Sequence, residues 1–272
     1  MISNKAKQRA EVFASSLSGL SSEEIKDACK EEMMYLRGHL KIKTIRSYLT
    51  SYRKIAREKG FNLDAFMVIE KHENEELEAD KRKRVGLRSK NQKPIVNYSD
   101  MLNKAIEVLK SSEVLQELVA AICLLTGRRM TEVLSTAKFK LIGRSLEKVV
   151  FEGQLKKRGM DKGYEIFTLY NSAKLVKSAL KRVRTLTDVR GLNNDQISNK
   201  YRTRINGMVL RLFNEYIGYC TCKDLRDVYA TIATRLHKEE GQSVNSFLHE
   251  ILGHEENDLA TANTYQKYYI KS

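Results

Sequence analysis

A phosphodiester can be transferred without metal or nucleotide if three kinds of group converge. One is a nucleophile, another is a set of cations that stabilise a pentacovalent phosphorus centre, and the third is an acid for the departing 5′ oxygen. The last two thirds of this 272-residue chain hold candidates for each. Arg128 and Arg129 lie in LLTGRRMTEVL, at the end of an apolar run and beside a glycine. Paired arginines there could cap helix carbonyls, and their guanidinium forks also match two phosphate oxygens. Glu132, three residues beyond Arg129, could hold it in place. Lys156, Lys157 and Arg158 fall in the turn GQLKKRGMDKG between two strand-like runs, where one ammonium could reach a leaving oxygen. In CKDLRDVYATIATRL, Lys223 and Arg226 are one helical turn apart. His254 follows a helix-ending Gly253, and Tyr265 is one of three tyrosines near the end, with Tyr268 and Tyr269 as alternatives.

The elements that would carry these groups show in the patterning. Residues 99–110 and 113–127 read as helices, followed by β-like runs at Lys138–Ile142, Lys148–Phe151 and Tyr164–Leu169. Helices resume at about 171–186, 194–216, 223–238, 243–252 and 258–269. Upstream, Ile42, Ile45, Tyr48, Leu49, Tyr52, Ile55 and Ala56 form a helical stripe that Gly60 ends, and segments 4–17, 21–37 and 62–80 also read as helical. The predicted fold is mainly α, with a helical N-terminal DNA-binding domain over 1–80 and an α-rich catalytic domain over 98–272 that carries a small three-stranded sheet. Between them, KRKRVGLRSKNQKP at 81–94 has seven basic residues, no acidic ones and the only proline. The stretch 81–97 is therefore expected to be a basic linker.

The net charge of +15 makes a polyanion the first candidate partner. Residues 1–93 carry 21 basic against 14 acidic residues (+7), and 94–272 carry 28 against 20 (+8), so both parts suit DNA. Lys43, Arg46, Arg53, Lys54 and Arg57 lie off the apolar stripe and could meet phosphates, as could Arg84 and Arg88 in the basic tract. No run has the ~18 apolar residues of a spanning helix, and no membrane role is expected. The N-terminus lacks a secretory core, and Cys29, Cys123, Cys220 and Cys222 show neither zinc spacing nor an obvious disulfide set, which suits a reducing cytoplasm. No clustered carboxylates accompany the basic motifs, so a metal-dependent nuclease is disfavoured.

In order and content the four basic segments resemble the tyrosine recombinase and integrase family, whose signature runs arginine, hairpin lysine, His-x-x-Arg, His or Trp, then tyrosine. TGRRMTEVL resembles its Thr-Gly-Leu-Arg-x-x-Glu segment, which implies Arg129 as the first catalytic arginine. DLRDVYAT resembles its Leu-Arg-x-x-x-Ala-Thr box and implies Arg226 as the second, while LGHEENDLATANTY implies His254 and the nucleophile Tyr265. The resemblance also implies Lys156, or failing that Lys157, as the acid; no cofactor; and double-stranded DNA bound at a specific site, with inverted repeats, by two or four protomers. It further implies a bacterial, phage or plasmid origin. Lys223 stands where the family usually has the first histidine, and the interval from His254 to Tyr265 is two residues longer than the commonest one. Both departures, with GRRMTEVL and VFEGQLKKR, are similar to the telomere resolvase (protelomerase) branch, which closes DNA ends as hairpins. A generic phage or plasmid integrase and a non-catalytic DNA-binding protein of the same fold are the alternative expectations.

Overall fold

The structure, a computed structural model, describes residues 4–155, 163–253, 265 and 267–271, apart from the side chains of Asn4, Arg88 and Ser89. Two compact units divide between Arg84 and Val85.

The first unit is helical: α1 (Asn4–Ser16), α2 (Ser22–His39), α3 (Ile42–Glu58) and the first part of α4 (Lys71–Lys90). Ser21 and Glu24 close a reciprocal capping box at the start of α2. The stripe on α3 buries Ile45, Leu49, Tyr52, Ile55 and Ala56 against Ala10, Ala14, Leu17, Met33 and Leu36. Residues 62–70 are not the helix their composition predicts. Asn62 accepts from the backbone N–H of Asp64, Leu63 and Met67 are drawn into the core, and the Arg53 guanidinium takes the Met67 carbonyl at 2.5 Å. The predicted basic linker also departs from its expected form, because residues 81–90 continue α4. Lys, Arg, Glu and Leu are all good helix formers, and no proline intervenes before Pro94. A helix polar all round persists through its propensities and pairs such as Glu78 and Lys81, at 3.6 Å.

The second unit opens with β1 (Lys93–Ile95) and α5 (Tyr98–Ser111), then builds around α6 (Leu115–Thr126). Every residue of α6 from Leu118 to Thr126 is buried, as expected of a helix apolar on all sides. Packed about it are α7 (Ala173–Leu186), α8 (Asn194–Ile217) and α9 (Asp224–His237), and α10 (Val244–Leu252) lies on α9 in the same core. The strands β2 (Lys138–Leu141), β3 (Lys148–Glu152) and β4 (Tyr164–Phe167) form one antiparallel sheet in the order 2-3-4. Its register aligns Phe139 with Phe151 and Phe151 with Tyr164, an aromatic ladder with ring centroids 5.7 Å apart at each step.

The predicted helix over 258–269 is overturned at its end. Tyr268–Ile270 is a strand, β5, paired in parallel with β1 so that Lys93 lies beside Tyr268 and Ile95 beside Ile270. Aromatic and β-branched residues favour such pairing once a partner edge exists, and that edge comes from the other end of the unit. Residues 258–264 of that expectation lie outside the described residues. All four cysteines are buried free thiols.

Candidate active site

The site grows from the end of α6. Gly127 stops that helix with φ +66°, and a side chain there would collide with the Tyr229 ring of α9. The chain then turns through Arg128 and Arg129 into a single π-helical turn, Glu132–Thr136. Such wide turns are rare and recur at functional sites. Arg184 of α7 holds this one by donating to the carbonyls of Val133 (2.5 Å), Ala137 (3.1 Å) and Glu132 (3.4 Å).

The two neighbouring arginines separate completely. Arg128 is 1 % exposed and spends its guanidinium on the Thr126 carbonyl (3.0 Å), the Ile251 carbonyl (2.7 Å) and the Tyr164 hydroxyl, 4.7 Å over the Phe151 ring. Arg129 keeps a side chain 29 % exposed, with Nη1 on Glu132 at 2.7 Å. Its Nε and Nη2 have no partner among the described residues. Glu132 is fully buried and also accepts the Arg129 backbone N–H at 2.9 Å. Burial works to raise its pKa, but Arg129, Arg128 and Arg226 outweigh that and hold it below the usual carboxylate range. One carboxylate thus serves as counter-anion to three guanidiniums.

Arg226 reaches the same place from α9. Its Nη1 donates to the Gly127 carbonyl (2.6 Å) and its Nη2 to the Leu252 carbonyl (2.9 Å). Its Nε donates to the Tyr265 hydroxyl at 3.3 Å. Burial disfavours its charge, yet Tyr265, Glu132 and Tyr164 together keep its pKa above the usual range, so it stays cationic. The last carbonyls of α10 are tied down in succession: Ile251 to Arg128, Leu252 to Arg226, and Gly253 to the Gln154 amide at 2.7 Å. Cations at a helix C-terminus meet the negative end of its dipole. This fixes the point from which the chain leaves toward Tyr265.

Glu132 therefore links Arg129 to Arg226, and Arg226 in turn holds Tyr265. Lys223 is exposed at the start of α9, where its carbonyl accepts the Arg226 backbone N–H at 3.3 Å, and no side-chain contact joins the two among the described residues. Lys156, Lys157, Arg158 and His254 lie outside the described residues. Tyr268 is 2 % exposed with its hydroxyl enclosed and unpaired, while Tyr269 is 41 % exposed on the adjacent, opposite-facing strand position. Of the basic positions expected on α3, Arg57 pairs with Asp64, Lys54 with Glu58 (3.9 Å), and Arg53 with the Met67 carbonyl and Asp64. Lys43 and Arg46 remain exposed, as does Arg84, whose Nε donates to the Asp80 carbonyl. Arg88 is placed in α4, its side chain undescribed.

Residues 92–268 match the family model of the telomere resolvase ResT/TelK catalytic domain. The chain belongs to this telomere resolvase family. Telomere resolvase ResT of Borreliella burgdorferi is 21% identical over 179 residues, covering 62% of this chain and 38% of that protein. The protelomerase of Klebsiella oxytoca phage phiKO2 is 29% identical over 177 residues, covering 58% of this chain and 27% of the relative. The chain thus spans only 27% to 38% of the length of the curated relatives it matches. Protelomerase TelA covalently complexed with substrate DNA superposes with a TM-score of 0.86 at 25% identity, over 98% of this chain and 89% of that one. A TelA mutant complexed with DNA hairpin product gives 0.87 at the same identity and coverage. No helix among the described residues is long and apolar enough to cross a membrane.

Several groups around the site escaped the sequence reading. Arg184 and Tyr164 gave no local signal, since both act across the fold. Asp227, next to Arg226, is another. Burial above all, then the Asp224 carboxylate, push its carboxyl up to about 7, against the opposing pull of Lys267, Lys223 and Arg226. The unfolded chain would ionise this group near the ordinary carboxylate pKa of ~4. The folded protein therefore binds an extra proton between about pH 4 and 7, and stability falls as pH rises through that window. Denaturant titrations at pH 5 and pH 8 should show Asp227→Asn gaining about 2 kcal/mol on the wild type between the two conditions. An equal difference at both pH values would remove this assignment.

Proposed function

We propose that the protein breaks and rejoins double-stranded DNA through a 3′-phosphotyrosyl link on Tyr265 and closes the cut ends as hairpins. The observation that carries this reading is the Tyr265 hydroxyl held on Nε of Arg226, which shares the counter-anion Glu132 with the partly open Arg129 guanidinium, inside a fold shared with proteins named protelomerases. Tyr265 Oη attacks the scissile phosphorus, and the bond from phosphorus to the 5′ oxygen breaks. Lys156, or Lys157 in its place, gives that oxygen its proton. Arg129 and Arg226, with His254, stabilise the nonbridging oxygens, and Lys223 adds positive charge. The phosphotyrosyl link keeps the phosphodiester's energy, so the 5′ hydroxyl of the opposite strand can attack it and release tyrosine without ATP. Positioning and charge stabilisation dominate such phosphoryl transfers.

Recognition is assigned to backbone contacts from both basic units, with Lys43, Arg46, Arg53, Lys54, Arg57, Arg84, Arg88 and Lys157 contributing on an inverted-repeat site. An inverted repeat presents two equivalent half-sites, which suits two protomers. Cytoplasmic action on a bacterial, phage or plasmid replicon accords with the bacterial and phage sources of the relatives. The test is incubation with palindromic junction DNA from the protein's own replicon, followed by heating and snap cooling. Products that renature at once as hairpins are expected. Exchanged flanks would instead make the protein an integrase, and intact DNA with retained binding would make it a non-catalytic binder. Binding should weaken steeply with salt, since phosphate contacts release counterions.

A further inference from the structure

Tyr265 must be held where its oxygen can reach phosphorus, and Arg226 meets its side chain with Nε on the hydroxyl and its guanidinium 5.6 Å over the ring. The backbone of the same segment has an anchor of its own two residues later. The Lys267 ammonium pairs with Asp224 Oδ1 in the first turn of α9, the helix that carries Arg226. Asp224 Oδ2 is occupied by the backbone N–H and the hydroxyl of Thr221, each at 2.8 Å, so the carboxylate cannot swing away. On the other side, the Lys267 carbonyl accepts the Lys93 backbone N–H at 2.9 Å, where β5 joins β1. Both partners are largely shielded, with side chains 26 % and 16 % exposed. Burial works to raise the Asp224 pKa, and Lys267 with Thr221 more than reverses it, keeping the carboxylate ionised.

We propose that Lys267 and Asp224 act as a positioning pair that fixes the Tyr265 segment against the helix bearing Arg226, and so sets the rate of strand cleavage. The inference rests on Tyr265 being the nucleophile. Neither residue need touch DNA. Removing the pair leaves the groups that bind DNA in place but lets the attacking oxygen wander from its in-line position, and small misplacements lower a positioned reaction by about 10²-fold. The signature is a split between cleavage rate and affinity.

The test uses the full chain on a nicked suicide substrate that traps the phosphotyrosyl adduct. Wild-type adduct formation establishes the reading on which the inference depends; its absence would defeat that reading, whatever the variants do. Given a wild-type adduct, Lys267→Met at saturating DNA should form it about 10²-fold more slowly, with affinity changed by less than about twofold. Lys267→Arg, which keeps the charge and reach, should recover to within about fivefold of wild type. Lys267→Met strands a buried carboxylate, so the double variant Asp224→Asn/Lys267→Met, which leaves no unpaired charge, is measured beside it and should be equally slow while folded. Wild-type rates in the double variant would overturn the proposal. So would a fall in affinity that accounts for the loss of rate, since that would make Lys267 a DNA contact.

Discussion

Tyr265→Phe should bind its DNA with wild-type affinity and form no covalent protein–DNA adduct on a nicked substrate. The substitution deletes one oxygen, and with it the only atom proposed to bond to phosphorus. The Arg226 guanidinium loses its Nε partner but keeps the Gly127 and Leu252 carbonyls, so the fold should lose no more than about 1.5 kcal/mol. Adduct formation is read on a denaturing gel, and affinity by titration at one fixed salt concentration. An adduct surviving in the variant would move the nucleophile elsewhere. Tyr268 is the worse substitute because its hydroxyl is enclosed in the core, where burial pushes its pKa well above the ordinary tyrosine value. Tyr269 is exposed but belongs to β5, beside Pro94 in the register with β1.

The second large effect contrasts two adjacent residues of one type. Arg129→Ala should cut the cleavage rate at saturating DNA by about 10²-fold to 10³-fold, the usual loss when one preorganised donor to a transition-state oxygen is removed. Stability should change by only about 1 kcal/mol, because Glu132 still faces Arg128 and Arg226. Arg128→Ala should do the opposite and destabilise the second unit by about 3–5 kcal/mol. It empties the space over Phe151 and leaves the Ile251 carbonyl and Tyr164 hydroxyl without their buried donor. Denaturant unfolding and single-turnover cleavage, measured on both variants, separate the two roles. A fully stable Arg128→Ala that cannot cleave would exchange the assignments.

That contrast also marks what the sequence could display. Two arginines beside Gly127 were visible as a phosphate clamp or as caps on helix carbonyls; the structure spends Arg128 on the Thr126 and Ile251 carbonyls and leaves Arg129 partly exposed on Glu132. Which is which depends on where β4 and α10 lie, and neither position is written in the local pattern. The apolar stripe of α3, the all-apolar α6 and the three strands from Lys138 to Phe167 were legible because periodicity is a local property. The continuation of α4 over 81–90 and the strand at Tyr268–Ile270 were not. Proline-free charge runs suit both a solvated linker and a polar helix, and a three-residue strand exists only through its distant partner. Asp224, Lys267, Tyr164 and Arg184 escaped notice for the same reason: each does its work across more than 30 residues of chain.

The pairing of β5 with β1 has a consequence in the language of genetics. The strand just beyond Tyr265 closes on the unit that also holds Arg129, Arg226 and Glu132, so the proposed nucleophile and the proposed phosphate clamp are inherited as one indivisible set. Two defective subunits, one lacking the tyrosine and one lacking the arginine, could share a DNA site and still not make one working centre between them. Loss of either residue would then behave as a lesion that no neighbour can complement.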